Sequence, residues 1–246
     1  MHIRQLYFYC SLIILMAPVS RAETLNVGLL KSGNPPFAFP KGGKDTGIYV
    51  DLLFEIAKIT GDDFKLLYLP KKRTLKAFEN GEIDIEPGVN PAWRKEWSHL
   101  SRYSIPFISY TDVLVFRPNE HFSVSGVNDL FGKKVATVRG YFYPGYEDEF
   151  RSGKIHRFNV NHEFQLLKFL SLKQRGADAA FINSKVLHYY MKVNNVAFDI
   201  GDTIGNVPVM FRFHKDKEGV LLRFNKALTV LIKNGTLEKI LNKYKA

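Results

Sequence analysis

The side chains best placed to do chemistry in this sequence cluster around short apolar runs. Asn34 and Phe37 follow Leu25 to Leu30, Glu86 and Asn90 follow Ile83 to Ile85, and Arg94 comes after Pro91-Ala92-Trp93. Tyr141 and Phe142 follow Lys134 to Val138, and Asn183 follows Ala177 to Ile182. These residues supply a guanidinium, a carboxylate, amides and aromatic rings. A guanidinium offers a planar fork of N–H donors that matches a carboxylate. Catalytic constellations are missing: the one cysteine, Cys10, lies in an N-terminal apolar run, and there is no His-x-x-x-His zinc spacing and no phosphate loop. The histidines, among them His99, His156, His162, His188 and His214, show no ligand spacing. No cofactor or metal is expected, and Glu86 is the one nearby acid an enzyme could use.

Ligands of open α/β sheets lie beyond the carboxyl ends of the strands, so strands must alternate with helices to position this set. The pattern reads that way. Strands are expected at Leu25–Leu30, Phe64–Leu69, Ile83–Glu86 (broken by Pro87-Gly88), Thr111–Phe116, Lys134–Val138, His156–Val160, Ala177–Ile182 and Val207–Phe213. Helical spacing covers 48–60, 74–80, 163–174, 184–193, 220–232 and 237–244, with shorter pieces at 127–131 and 146–150. One passage is echoed. Leu75 to Asp84 is a helix, a glycine stop and an Asp that opens a strand, and Leu167 to Ala180 repeats that order. The echo predicts an α/β fold of two similar lobes, each a mostly parallel sheet flanked by helices.

The first residues set the compartment. Arg4 precedes the apolar run Leu6 to Met16, and Ala17 to Ala22 places Ser20 and Ala22 at the −3 and −1 positions of a cleavage site. This is the order of a secretory signal peptide, with cleavage predicted after Ala22, and the run is too short to span a bilayer. Removing 1–22 lowers the net charge from +11 to +9 and removes Cys10, so the mature chain forms no disulfide. Its remaining 224 residues can bury enough apolar surface to fold without one. No later segment is apolar enough to hold the mature protein in a membrane. Scattered basic residues and export argue against a nucleic-acid partner.

The chain resembles the bacterial extracellular solute-binding proteins of family 3, the polar amino-acid-binding type. The landmarks are Asn34-Pro35-Pro36-Phe37, Gly47 to Leu52, Asn80 to Asp84, Arg94, Asp129 to Ala136, Gly176 to Ala179, Asn225 to Leu228 and Asn234 to Ile240. The resemblance implies a two-lobed periplasmic-binding-protein fold of type II. One lobe would be discontinuous, from 23–109 plus 208–246, the other would be 110–207, and two crossing strands would form a hinge.

For the site, the resemblance implies that Arg94 clamps a ligand carboxylate, although Pro91 stands where relatives have a threonine. Asn183 occupies the position of an aspartate that pairs with a ligand ammonium. Either Glu86 or another acid supplies that charge, or the ligand is not a free α-amino acid; the other reading of Asn183 is a cap on the following helix, a role compatible with the first. Tyr141 and Phe142 replace hydroxyl side chains, Asn34 replaces an aromatic, and Phe37 is either a stacking ring or ordinary core. Arg73 is either a second cation at the cleft edge or a solvated side chain. The implied function is non-enzymatic: a periplasmic protein that captures a small, carboxylate-bearing solute, an amino acid or related compound, for the permease of an inner-membrane ABC importer. A sensory binding protein that docks to a membrane receptor, and a dehydratase-like enzyme on the same scaffold, remain alternatives.

Overall fold

The computed structural model describes residues 22–40, 42, 44–172 and 176–245, so the leader expected over 1–22 lies outside them except for Ala22. The first half runs β1 (Thr24–Leu30), α1 (Ile48–Thr60), β2 (Asp63–Leu69), α2 (Lys71–Glu79), β3 (Ile85–Val89), β4 (Ser101–Tyr103) and β5 (Ile108–Phe116). The second half runs β6 (Lys134–Val138), α3 (Glu147–Arg151), β7 (His156–Val160), α4 (Glu163–Leu170), β8 (Ala179–Asn183) and α5 (Ser184–Asn194). The chain then closes with β9 (Asp199–His214), α6 (Glu218–Lys233) and α7 (Thr236–Lys243).

Two sheets result, and they share β9. In the first, β2 and β3 lie parallel to β1 on either side, and the last residues of β9 run antiparallel between β3 and β4. In the second, β7 and β8 flank β6 in parallel, while β5 pairs antiparallel with both β8 and the earlier residues of β9. The chain therefore passes between the sheets twice, through β9 and through the segment from β4 to β5. This is the α/β, two-lobed architecture that alternating strand and helix patterns imply.

The repeated Asp of the sequence echo does the same job in each sheet. Asp84 accepts the Asn26 N–H at 2.7 Å through Oδ2 and donates its own N–H back to the Asn26 carbonyl at 2.9 Å. Asp178 treats Lys134 identically, at 2.7 and 2.8 Å. Each straps a strand start to its parallel neighbour, which fixes the register that carries the strand ends to the cleft.

Local differences from the sequence expectation have physical causes. β3 does not break at Pro87-Gly88. It continues to Val89 with a register irregularity against β9 between Glu86 and Val89, because Pro87 lacks an N–H and Gly88 takes φ 70°. The helix expected from Thr74 begins at Lys71, directly after Pro70. The helix expected to reach Gln174 ends at Leu170. β9 starts eight residues before the Val207 expected, through a polar, glycine-containing stretch with no alternating apolar pattern. Core burial joins α1 and α6 across the first sheet, where the Phe224 ring lies 5.0 and 4.9 Å from the Phe211 and Phe213 rings.

Candidate functional site

Between the two sheets lies a cavity of about 100 Å³ that opens to solvent. Its chemistry begins with Glu86 on β3. The Glu86 carboxylate is buried and accepts from three cations. Arg94 donates through Nε at 3.2 Å and Nη2 at 2.6 Å, Lys71 Nζ at 2.9 Å and Arg212 Nη1 at 3.0 Å. Burial by itself would raise this carboxyl, but attraction from Arg94, Lys71 and Arg212 holds it well below the usual carboxylate range. With three cations on one anion, the cluster carries a net charge of +2.

Each cation arrives on a different element. Lys71 opens α2, and burial, with Arg94 and Arg212 nearby, pushes its ammonium down. Arg94 sits in the 3-10 segment Pro91–Leu100, where Asn90 caps the turn by accepting from the Ala92 N–H at 3.0 Å. Arg212 is 1 % exposed and stacks on the Phe78 ring at 3.6 Å, so it backs Glu86 and does not reach the cavity wall. Lys71 and Arg94 do line the cavity. A guanidinium has five N–H donors. Two go to Glu86 and one to the Trp93 carbonyl at 2.9 Å, which leaves two for a ligand.

The rest of the wall is largely aromatic. Tyr49 comes from α1, Trp93 from the 3-10 segment and Tyr110 from β5, and Tyr141, Phe142 and Tyr143 follow β6. Burial first raises the phenols of Tyr49, Tyr110, Tyr141 and Tyr143, so all four stay neutral and keep a proton to donate. Tyr141 donates to Glu163, buried at the start of α4, at 2.6 Å. The Trp93 indole N–H is buried beside the cavity with no partner among the described residues. Gly88 makes the close wall possible: a Cβ there would overlap the Tyr49 hydroxyl, and its φ of 70° favours glycine.

The structure sorts the residues expected from sequence into two groups. Arg94, Glu86, Asn34, Tyr141 and Phe142 line the cavity together. Asn34 also donates to the Tyr110 hydroxyl at 3.3 Å. Phe37, Asn90 and Asn183 do not line it. Phe37 is fully buried behind the wall, stacked 5.2 Å from Tyr49 and 4.7 Å from Tyr110. Asn90 ties β3 to β9 by donating to the Pro208 carbonyl at 2.7 Å. Asn183 caps α5, accepting from Lys185 N–H at 3.0 Å and Val186 N–H at 3.4 Å, and donates to the Thr111 carbonyl at 3.2 Å. Arg73 is exposed and away from the cavity.

Sequence reasoning passed over Lys71, Tyr49, Tyr110, Asp112 and Tyr143. Lys71 had a signal in Pro70 to Arg73, where helix phase decides which of three adjacent cations faces inward. Asp112 had one in a carboxylate near the start of an apolar strand.

Comparison with known proteins matches residues 25–246 to the profile of the "Bacterial extracellular solute-binding proteins, family 3". YxeM of Bacillus subtilis (strain 168), named as a probable amino-acid-binding protein, is 28% identical over 214 residues, 85% of this chain and 79% of that protein. The L-cystine-binding protein TcyJ of Escherichia coli (strain K12) is 25% identical over 236 residues, 94% of this chain and 85% of that protein. Among solved structures, an ancestral arginine-binding protein bound to arginine superimposes with a TM-score of 0.76 at 25% identity, covering 91% of this chain and 98% of that one.

Proposed function

The chain belongs to the bacterial extracellular solute-binding proteins of family 3, and from that premise we propose that its cavity captures a small carboxylate-bearing solute, an amino acid or a close analogue, for delivery to an ABC importer. The observation that carries this reading is the Lys71–Glu86–Arg94 cluster. Its surplus positive charge and two spare guanidinium N–H bonds face a cavity walled by neutral phenols and an unpartnered indole N–H. The cations of the cluster outnumber its one buried acid, and buried charges call for counter-charges, which an incoming carboxylate would supply. Glu86 is then a positioning residue: it holds both cations in place instead of meeting the ligand itself.

Capture requires the lobes to close. We assign them to 23–109 plus 208–246 and to 110–207, with β9 and the β4–β5 segment as the hinge. In support, the Phe39 ring of the loop after β1 meets the Tyr189 ring of α5 edge-on at 5.6 Å, linking the two halves. Processing after Ala22 would place the mature protein in the periplasm beside an inner-membrane permease, to which the solute is handed unchanged. The names of YxeM and TcyJ fit an amino-acid-like ligand.

Thermal-shift and calorimetric screening of the purified protein against L-α-amino acids and simple carboxylic acids tests the reading. A true ligand at a hundredfold excess over its dissociation constant should stabilise the fold by roughly 2.7 kcal/mol. A panel in which no carboxylate-bearing compound shifts the transition at millimolar concentration would overturn it.

A further inference from the structure

We propose that Asp112 on β5 anchors a cationic ligand group, so that the cleft takes a zwitterion with its carboxylate at Lys71 and Arg94 and its ammonium at Asp112. This rests on reading the cavity as a solute site and goes further by naming both charges of the solute. Asp112 lines the cavity, and its carboxyl has no hydrogen-bond or ion-pair partner among the described residues. The backbone aims it there. Asp112 stands two residues after Tyr110 on β5, so the strand's regular alternation brings both side chains to the cavity, and the extra residue at the β5–β9 register shift is Ile204 on β9. Gly205 faces Asp112 across β9 and takes up no space, and an added Cβ there would meet nothing within 4 Å.

Among the described residues, the polar groups that face or act on Asp112 come from several elements, and none of them is a cation. Tyr110 lies on β5 itself, Tyr143 comes from the segment after β6, Glu163 from the start of α4, and the neutral Asn183 stands directly opposite on β8. The two phenols are neutral and Asn183 is locked into capping α5. Burial, and then the Glu163 carboxyl, push the Asp112 carboxyl up to about 7. In the empty cleft it is therefore protonated below that pH. An arriving ammonium favours the ionised carboxylate and displaces the proton. Cationic Lys71 and Arg94 on one wall and an unpartnered acid on another make the cavity dipolar, matched to a ligand with separated opposite charges.

Calorimetry decides it, with the twenty L-α-amino acids and L-cystine as probes, together with the desamino carboxylic acid of each binder. For wild type, amino-acid affinity should rise about tenfold per pH unit between roughly pH 5 and 7 and then level off. At pH 6.5, titration in two buffers of different ionisation enthalpy should show net proton release. In Asp112→Asn, amino-acid binding at pH 8 should fall at least thirtyfold and lose its pH slope, desamino-acid binding should stay within threefold, and Asp112→Glu should recover part of the loss. Amino-acid binding without proton release in wild type, or affinity in Asp112→Asn within twofold of wild type, overturns the assignment; the wild-type titration needs no variant to fold. If only desamino acids bind wild type, Asp112 loses this role while the carboxylate site stands. If neither class binds, both readings fall.

Discussion

Glu86→Ala should lower the unfolding free energy by about 3–5 kcal/mol, equivalent to a fall of about 10 °C in melting temperature for a chain of this length. Glu86 is the one anion among Lys71, Arg94 and Arg212, and its side chain is only 5% exposed. Deleting it leaves three cations packed together in a low dielectric, with Arg212 at 1% side-chain exposure. The pH dependence carries the same signature. The folded carboxyl lies well below its ordinary value of 4.5, so the stability it contributes is complete above that pH and is lost as pH falls towards the folded value. The gap between wild type and Glu86→Ala should accordingly narrow in acid. Chemical denaturation at pH 7 and pH 3.5 measures both effects, and equal gaps at the two pH values would contradict them.

Arg94→Ala should do the opposite, with little change in stability and a collapse in binding. Glu86 keeps Lys71 and Arg212, and the loss of one cation relieves repulsion within the cluster. Stability should move by no more than about 1 kcal/mol, because the net excess of cations over anions falls. Binding of a carboxylate ligand should weaken by about a hundredfold, the loss of two charge-assisted hydrogen bonds of roughly 1.5 kcal/mol each. Arg94→Lys keeps the charge without the planar fork, so it should recover only part of that loss. Paired melting and calorimetry on the three proteins test the contrast. A variant that loses stability as Glu86→Ala does while still binding would reverse the roles assigned to the two residues.

The parts of this molecule legible in the sequence are those written in local pattern. α1 occupies Ile48–Thr60 as its spacing predicts, because its apolar face repeats at helical period and Gly61, at φ 77°, stops it with its N–H on the Ala57 carbonyl. The Asp84 and Asp178 echo was visible as a repeat, although its strand-to-strand bonding was not. Arg94 and Tyr141 could be placed from motif position and strand ends. What escaped depends on pairing between distant segments. Asp112 shares the cavity face of β5 with Tyr110, and that face is set by how β5 pairs with β8 and β9. That pairing is not encoded near the residue itself. Lys71 is half-buried and lines the cavity while Lys72 and Arg73 are exposed, only because α2 begins three residues earlier than its apolar pattern suggests. β9 was half hidden because Asp199 to Asn206 pairs through its backbone without an alternating apolar face.

The most direct test of the account is a crystal structure of the protein with its tightest-binding amino acid. The account predicts a closed cleft with the ligand carboxylate about 2.7–2.9 Å from Lys71 Nζ and the free N–H groups of Arg94, and the ligand ammonium on the Asp112 carboxylate. A ligand bound with its carboxylate against the second sheet, with Lys71 and Arg94 contacting Glu86 alone, would contradict it.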